Sequence, residues 1–358
     1  MPRILYLFNS TSNNPGNFAL YHGCKKLLSL FYPAHIYDEF NLDDLSYRKI
    51  NEEDFVDLCN KYNIIVVCGL IIFNGQKHYD RTGAKIDISI QHLKSIKSKF
   101  ILLGVSSRIW DNDNYHHQDK LKDFVDFINN SPNWSLVFRQ DGSKHALEEM
   151  LRIQIPSKEI VDPAMWAFKT ESQKLIHPET GKLFINLNGE DAKYRYPTGF
   201  NKLINFLAEN VNEILEDNHF SGLVLQPHGP DDLLILSELA NRINNYSRHR
   251  FLEFGSLSTH QDWISVYNRY KFEAKFIITM RIHSMNPASI MGIPLFVISS
   301  SRRIHSFCER YLDPKNFTNL DSLPRSHPFQ LPLYDPNVVK SKIKIDMNKS
   351  ESILDGIL

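Results

Sequence analysis

The residue types best suited to chemistry cluster near position 280, where Arg281, His283 and Ser284 follow the apolar run Phe276–Thr279. An arginine is always charged and can bind a carboxylate or phosphate with two parallel hydrogen bonds, whereas a histidine can give or take a proton near neutral pH. An apolar run followed by a helical pattern predicts a buried parallel strand, and ligands of such sheets bind beyond the carboxyl ends of the strands. The segment therefore predicts a site that binds an anion and transfers a proton.

Two further arginines, Arg302 and Arg303, follow the next apolar run, Leu295–Ile298. Neighbouring parallel strands end at the same edge of a sheet, and the amides at the start of the intervening helix add to the positive field there. The alternative is that Arg281 pairs with an acid and that His283 is a hydrogen-bonded histidine at a strand end. Convergence of several cations on one edge favours the anion site.

Other strand ends in the second half of the chain also carry polar residues. Asn188 and Arg195 follow the run Leu183–Leu187, and His228 follows Gly222–Leu225. A histidine on such a loop can donate to an anion or relay a proton, but beside the acidic start of the next helix it can equally make a structural hydrogen bond. Both alternatives stay open for His228.

The loop Asn9–Asn17 (NSTSNNPGN) follows the first predicted strand and ends in Gly16 and Asn17. Small polar residues at a strand-to-helix turn expose backbone N–H groups beside a helix start, which favours a phosphate or carboxylate. The loop is neither a GxGxxG nor a Walker A sequence. The alternative is an Asn-rich turn that only caps the helix.

Arg139 ends another predicted strand and precedes Ser143, which opens a helical pattern. Its guanidinium suits bidentate binding of a carboxylate or phosphate, with Ser143 contacting the same anion. The alternative is a salt bridge to Asp141 or Asp162.

Apolar, β-branched runs alternate with amphipathic stretches in two successive series. The first series predicts strands near Ile4–Phe8, Ile64–Val67, Phe100–Leu103 and Leu136–Phe138, and helices near Phe18–Leu30, Glu52–Asn60, Ile86–Ser95, Gln118–Asn129 and Gly142–Leu151. The second predicts strands near Leu183–Leu187, Gly222–Leu225, Phe251–Phe254, Phe276–Thr279 and Leu295–Ile298, and helices near Phe200–Glu216, Asp231–Asn244, His260–Tyr270, Met285–Met291 and Ile304–Arg310. Such repetition predicts an α/β protein with two Rossmann-like domains facing each other across a cleft.

We place these domains at residues 1–176 and 177–312. A tail at 313–358 is rich in proline and charge and ends in a short helical pattern at Ser350–Leu358. Whether this tail packs back on the first domain is left open by its weak periodicity.

Composition excludes several classes of function. The 358 residues include 41 Lys+Arg and 41 Asp+Glu, so net charge gives no reason to expect nucleic acid or an anionic membrane as partner. Four cysteines without CxxC spacing predict reduced, buried thiols, and no cluster has metal-ligand spacing. The N-terminus lacks a signal-peptide pattern, and the longest apolar run, Ile64–Phe73, is too short for a bilayer, so we expect a cytoplasmic protein without an integral membrane segment.

Taken in order, several of these segments resemble the polysaccharide pyruvyl transferase family. The most specific block is Met280-Arg281-Ile282-His283-Ser284, followed by Ala288, Gly292-Ile293-Pro294 and the pair Arg302-Arg303. The weaker pieces are Gly16-Asn17, Phe138-Arg139-Gln140-Asp141-Gly142-Ser143, Val161-Asp162-Pro163-Ala164, and Gln226-Pro227-His228 with Asp231. The match runs from the first strand to about Cys308.

The resemblance implies a GT-B-like fold and the transfer of the enolpyruvyl unit of phosphoenolpyruvate onto two hydroxyls of a sugar as a cyclic ketal. The first domain would then serve the acceptor, which is a sugar, a glycan or a lipid-linked saccharide, and the second the donor. No metal or further cofactor is expected, and the oligomeric state is open. The chain departs from the family at Asn17, where an acid usually follows the glycine, and after the last strand, where arginine replaces the usual lysine.

For this chemistry we assign His283 as general acid or base, with Arg281 and Arg139 as the other catalytic residues. Substrate contacts are expected from Asn17, Gly16, Asn188, Arg195, His228, Ser284, Arg302 and Arg303. His228 is the second choice for proton transfer. Four aromatic residues suit stacking on a sugar ring, namely Trp110, Tyr115, Tyr194 and Tyr196. The alternative is that they are ordinary surface residues.

Two other functions remain compatible with the sequence. A glycosyltransferase that uses a nucleotide sugar would need the same two-domain frame and the same phosphate-binding loops. A catalytically silent carbohydrate-binding or scaffold protein is the second alternative, and the amide at Asn17 is its best support.

Overall fold

The chain folds into two units, each built on its own parallel sheet. A computed structural model describes residues 1–75, 77–109, 115–169, 181–194, 199–217, 220–243, 252–257, 259, 261–323 and 335–358. The first unit comprises Met1–Ser12, Asn17–Ala167 and Ile345–Leu358, and the second comprises Asn13–Gly16 and Phe168–Lys344. The loop after the first strand therefore contributes four residues to the second unit.

The first half of the chain alternates strands and helices. Its strands are β1 (Arg3–Phe8), β2 (Ile36–Asn41), β3 (Ile64–Cys68), β4 (Ile71–Asn74), β5 (Lys99–Arg108), β6 (Trp134–Arg139) and β7 (Lys158–Ile160). Its helices are α1 (Pro15–Ser29), α2 (Leu42–Ser46), α3 (Glu52–Cys59), α4 (Ile90–Leu93), α5 (Gln118–Asn130), α6 (Ser143–Leu151) and α7 (Ala164–Ala167).

The first sheet has the order β2-β1-β3-β5-β6-β7, and β4 pairs with the end of β5. Neighbouring strands from β2 to β7 pair in parallel. The five residues of β3 are all buried, which is why the strand is apolar at every position and not at alternate ones. Its side chains and those of β5 form one core with the flanking helices, including Val67, Phe100 and Phe124.

The second half repeats the alternation. Its strands are β8 (Lys182–Asn186), β9 (Leu223–Leu225), β10 (Leu252–Phe254), β11 (Ala274–Thr279), β12 (Leu295–Ser299) and β13 (Phe317–Asn319). Its helices are α8 (Gly189–Tyr194), α9 (Phe200–Asp217), α10 (Pro230–Arg242), α11 (Trp263–Glu273), α12 (Ile282–Met291) and α13 (Arg302–Tyr311), and the chain closes with α14 (Pro336–Asp355).

The second sheet has the order β10-β9-β8-β11-β12-β13, with parallel pairing throughout. Counted along the chain, this is the 3-2-1-4-5-6 order of a doubly wound Rossmann sheet. The chain leaves β8 toward one edge and returns at β11 to build the other edge. The topological switch point, where such sheets bind ligands, therefore lies at the carboxyl ends of β8 and β11.

The predicted α/β class with two Rossmann-like series is confirmed by these two sheets. The two predicted series lack four of the observed strands, namely β2, β4, β7 and β13. β2 is an edge strand whose first four residues are exposed, so IYDEFN carries no apolar run. β4 and β13 are four and three residues long, which is too short for a periodic signal.

The C-terminal region differs most from its prediction. β13 extends the second sheet beside β12, so residues after 312 are not a separate tail. The expected short helix at Ser350–Leu358 is the end of α14, which is 20 residues long and begins at Pro336. Residues to Lys344 group with the second unit and residues from Ile345 with the first.

All four cysteines are buried free thiols, as predicted. Within the described ranges, no helix is both long and apolar enough to cross a lipid bilayer.

Candidate active site

The switch point of the second sheet is held by a buried amide. Asn186, the last residue of β8, is fully buried, and its Nδ2 donates to the carbonyl of Gln226 at 2.6 Å. Its Oδ1 accepts from Ser284 Oγ at 2.7 Å and from Thr279 Oγ1 at 3.2 Å. One side chain thus joins the ends of β8, β9 and β11 to the first turn of α12.

A buried carboxylate also connects the loops at these strand ends. Asp232, in the first turn of α10, has no exposed surface. It accepts from the backbone N–H of Gly189 at 2.9 Å and of His228 at 2.8 Å, and it forms an ion pair with Nη2 of Arg281. Because a buried carboxylate needs charged or N–H partners, these contacts fix the loops after β8, β9 and β11 together.

Arg281 lies directly at the amino end of α12, with an extended backbone. Pairing with Asp232 is the alternative that the sequence left open, and the structure shows it. The pairing uses Nη2, while Nε is buried and has no hydrogen-bond acceptor in the described part of the chain. Five N–H groups are available in a guanidinium, so the carboxylate does not exhaust its capacity to bind an anion.

His283 is in the first turn of α12, two residues beyond Arg281. The turn that starts α1 packs against its ring. A Cβ atom added to Gly16 would lie 1.9 Å from both Cγ and Nδ1 of His283, so the backbone of Gly16 touches the imidazole. Asn14 Oδ1 lies 3.4 Å from His283 Nδ1. Residues Asn13–Gly16 and α12 belong to the same unit, so the second unit contains the whole of this contact.

Behind His283, three polar side chains form a closed network. Ser284 Oγ is 2.9 Å from Tyr270 Oη and 3.2 Å from His228 Nε2, and the latter two groups are 3.3 Å apart. The Ser284 hydroxyl donates to Asn186, and the short Tyr270 contact suits donation to Ser284, so the network favours a proton on His228 Nε2.

The pKa of His228 is lowered well below its usual value of 6.5, first by burial and then by the nearby charges of Arg281 and His283. His228 is therefore a neutral, fully buried support for α12. The structure thus shows the structural hydrogen bonds that the sequence left open for His228, and contact of His228 with substrate stays a prediction.

The first turns of the helices that follow β11 and β12 carry positive and no negative side chains. α12 and α13 have no acidic residue in the first turn, and Arg302 and Arg303 open α13. Cations at a helix amino terminus add to the positive end of the macrodipole, which is favourable only beside negative charge. β11 and β12 are neighbouring parallel strands, so the two helix starts follow adjacent strand ends.

Three other residues were predicted to contact substrate, namely Asn188, Asn17 and Arg195. Asn188 caps α8, because its Oδ1 accepts from the N–H of Asp191 at 3.3 Å. Asn17 is half-buried and its Nδ2 donates to Ser12 Oγ at 2.8 Å. Arg195 lies outside the described residues. These contacts leave substrate binding by Asn17 and Asn188 a prediction.

Arg139 is not placed as an anion-binding residue. Its side chain is 1% exposed and forms an ion pair with Asp162 at 2.7 Å, with Asp141 at 3.6 Å from Nε. The two carboxylates raise the pKa of Arg139 further, against the effect of burial. The structure therefore shows the salt-bridge alternative, and its physical reason is that a buried guanidinium requires carboxylate partners.

Among the aromatic residues expected to stack on a sugar, Tyr115 is buried and its hydroxyl donates to the carbonyl of Gly83 at 2.8 Å. It is a core residue of the first unit. Trp110 and Tyr196 lie outside the described residues, as does the side chain of Tyr194.

Four residues of the site were not singled out from sequence. They are Asn14, Asn186, Asp232 and Tyr270. Asn186 had a usable signal, since it is a polar residue within the apolar run that forms β8. In the sequence, Asp232 has the pattern of an acidic residue at the start of a helix. Its contacts with the loops after three strands depend on the tertiary structure. In the described part of the chain, no three His, Cys, Asp or Glu side chains are arranged to hold a metal ion.

Comparison with known proteins agrees with the motif pattern. The family model for polysaccharide pyruvyl transferase matches residues 14–302, which include the end of the first loop from Asn14, the β11–α12 segment and Arg302, the first residue of α13. The chain therefore belongs to the polysaccharide pyruvyl transferase family, as its motifs predicted. No curated protein sequence matches the chain significantly.

Solved structures show the fold. Anabaena Alr3699/HepE in complex with UDP-glucose has a TM-score of 0.55 at 10% identity, and the alignment covers 100% of both chains. UDP-GlcNAc 2-epimerase from Neisseria meningitidis bound to UDP-GlcNAc has a TM-score of 0.52 at 12% identity, and the alignment covers 99% of this chain and 100% of the other. UDP-GlcNAc 2-epimerase from Methanocaldococcus jannaschii has a TM-score of 0.51 at 11% identity, and the alignment covers 98% of this chain and 93% of the other. These similarities identify the GT-B type of fold and, at such identities, nothing finer.

Proposed function

We propose that this protein transfers the enolpyruvyl group of phosphoenolpyruvate onto two hydroxyls of a sugar, glycan or lipid-linked saccharide, forming a cyclic ketal and releasing phosphate. Family membership supports the class of reaction. The observation that carries the finer proposal is the placement of His283 beside Arg281 at the switch point, next to two helix starts without acidic residues.

The donor would bind through its two anionic groups. Phosphoenolpyruvate carries a carboxylate and a phosphate close together, and this edge of the sheet offers Arg281, Arg302 and Arg303 with the amides that begin α12 and α13. Arginine forks suit both anions, and helix amino termini favour negative charge. Asp232 holds the Arg281 guanidinium in place, which reduces the entropy lost when the donor binds.

The reaction needs proton transfers in both directions. Protonation of the enol methylene makes the adjacent carbon electrophilic, and a sugar hydroxyl attacks that carbon and loses its proton. The C–O bond to phosphate then breaks, the second hydroxyl closes the ring, and its proton leaves with phosphate or the base. A single histidine can supply the first proton and accept one later, so we assign both transfers to His283.

The environment of His283 suits this role. His228, the other imidazole nearby, stays neutral, so it neither competes for the proton nor adds a second positive charge.

The proposal requires no resident metal or cofactor, and phosphoenolpyruvate is the donor substrate. The first unit is proposed to bind the acceptor. Four buried reduced thiols suit a reducing compartment, and we propose the cytoplasm.

A transfer assay with His283→Ala tests the proposal. Wild-type protein, phosphoenolpyruvate and a panel of saccharides should release phosphate and give a product carrying a pyruvate ketal by mass spectrometry. Loss of general acid–base catalysis should lower kcat by about 10²- to 10⁴-fold in His283→Ala. His145→Ala, an exposed histidine on α6, is the matched control and should keep wild-type activity. Equal rates for wild type and His283→Ala would refute the assignment.

A binding measurement separates this activity from that of a nucleotide-sugar enzyme. Phosphoenolpyruvate at a hundred times its Kd should stabilise the protein by about 2.7 kcal/mol, which a thermal shift detects. UDP-sugars at the same concentration should give no comparable shift. Protection by UDP-sugars alone would support the glycosyltransferase alternative instead.

A further inference from the structure

We infer that Asn14 fixes the tautomer of His283, placing a proton on Nδ1 and leaving Nε2 as the atom that exchanges protons with substrate. The chemical role of Nε2 rests on the proposed function, whereas the tautomer itself is a property of the free protein. Asn14 is thus a positioning residue, and it acts through His283.

The orientation of the Asn14 amide follows from its backbone partner. Asn14 precedes Pro15, the first residue of α1, and its side-chain oxygen accepts from the N–H of Gly16 at 2.9 Å. This is the geometry of a helix N-cap with proline at the first helical position. A backbone N–H can only donate, so the side-chain atom that faces it must be Oδ1 and not Nδ2.

The same oxygen lies 3.4 Å from Nδ1 of His283. A carboxamide oxygen can only accept, and an unprotonated Nδ1 would present a second lone pair to it. The two lone pairs would repel each other, whereas a proton on Nδ1 makes the contact attractive. The cap oxygen therefore selects the Nδ1–H form of the neutral imidazole, and Nε2 carries the lone pair.

Steric contact supports the same assignment. A Cβ at residue 16 would come within 1.9 Å of Cγ and Nδ1, so the first turn of α1 covers that edge of the ring. The backbone turn leaves no space for a substrate atom at Nδ1. Nε2 lies on the other side of the ring, where it is buried in the free protein, and we assign to this atom the proton exchange with a bound substrate.

The charged and titratable groups described around His283 do not oppose this selection. Arg281 precedes it on the β11–α12 connection and is paired with Asp232 from α10. His228, from the loop after β9, is neutral because its pKa is lowered. Arg281 and His228 therefore present no negative charge to the ring.

The test is the imidazole ¹⁵N spectrum of full-length protein labelled at histidine. The His283 signals are assigned as those lost in His283→Gln. In the wild type we expect a protonated nitrogen at Nδ1 and an unprotonated nitrogen at Nε2 near pH 7.5. A wild-type spectrum with the proton on Nε2 would overturn the inference.

Asn14→Ser is the decisive variant, because serine still caps the helix but is too short to hold its oxygen against the imidazole. We expect the His283 spectrum to move toward the Nε2–H tautomer and kcat to fall about tenfold to a hundredfold, with a smaller change in KM for phosphoenolpyruvate. Asn51→Ser, the same change at the cap of α3, is the matched control and should leave both readouts unchanged. An unchanged spectrum in Asn14→Ser would also overturn the inference.

Asn14→Asp provides a second, independent measurement. The carboxylate still accepts from Gly16 and from Nδ1, so the Nδ1–H form should persist, while the added negative charge should raise the midpoint of the His283 titration by about one pH unit. A lowered midpoint would contradict the inference. Should the wild type transfer no pyruvyl group yet show the expected spectrum, the proposed function would fail and the tautomer assignment would stand.

Discussion

At the scale of single residues, the second unit shows how buried polar groups support the first turn of α12, which carries His283. Asp232 and Asn186 connect the loops after three strands, and Ser284 joins α12 to both His228 and Tyr270. Buried polar groups are costly unless every one is paired. The network therefore specifies one arrangement of α12, and with it the position of His283.

His228 should make stability depend on pH. Its pKa is lowered in the folded state, so below pH 6.5 the unfolded chain binds a proton that the folded chain does not. The free energy of unfolding should then decrease as pH falls below 6.5, by up to about 1.4 kcal/mol per pH unit from this group.

Urea unfolding of the wild type and His228→Gln at several pH values measures this dependence. The variant should show a shallower decline between pH 6.5 and 5, and His145→Gln, a change at an exposed site, should follow the wild type. Identical slopes for wild type and His228→Gln would mean that His228 binds a proton in the folded protein.

At the scale of elements, the start of α1 is tied to α12 and not only to its own strand. The four residues Asn13–Gly16 group with the second unit, and Gly16 is in contact with His283. A helix whose first turn packs on another helix requires a residue without a side chain at the point of contact. This explains the glycine of the first family motif in physical terms.

Gly16→Ala should therefore harm activity more than folding. The added methyl group would lie 1.9 Å from the imidazole, so the His283 ring must move. We expect kcat to fall at least tenfold, since small displacements of a catalytic group are costly, and stability to fall by about 1–3 kcal/mol.

Gly356→Ala is the matched control for this change, because its new Cβ would meet its nearest neighbour at 3.7 Å, an ordinary contact. Phosphate release and thermal unfolding would be measured for both variants. Wild-type kcat in Gly16→Ala would show that the ring position does not matter for the reaction.

At the scale of the whole molecule, strand ends in the two sheets carry arginines in different settings. β11 ends in the site, whereas β6 of the first unit ends in Arg139, which is buried with Asp162. In this chain the family motif around Arg139 places a buried ion pair at the end of β6. Arginines at strand ends can have different roles, because a fully buried guanidinium requires a carboxylate of the protein as its partner.

Arg139→Met should destabilise the protein without removing donor binding. Breaking a buried ion pair leaves one charge uncompensated and costs about 3–5 kcal/mol. Arg3→Met, which removes a half-exposed pair with Asp38, should cost no more than about 1 kcal/mol. Urea unfolding gives the stabilities, and calorimetry gives the affinity of the folded proteins for phosphoenolpyruvate. A stable Arg139→Met that no longer binds phosphoenolpyruvate would restore the original assignment.

The sequence by itself determined the two Rossmann-like series, the family and the position of Arg281 and His283 after a buried strand. Continuous apolar runs and local motifs carry that information, because strand burial and strand-to-helix turns are properties of neighbouring residues. It could not determine that Arg139 is paired with Asp162, or that α14 is a long helix starting at Pro336.

Only the tertiary structure decided which polar groups meet. Asn14 and His283 are far apart along the chain, as are Asn186 and Ser284, and their contacts depend on strand order and loop path. Hydrogen bonds act over about 3 Å, so a pairing of distant residues exists only once the backbone has placed both partners. The residue types proposed for catalysis are therefore visible in the sequence, whereas the contacts that support His283 follow from the fold.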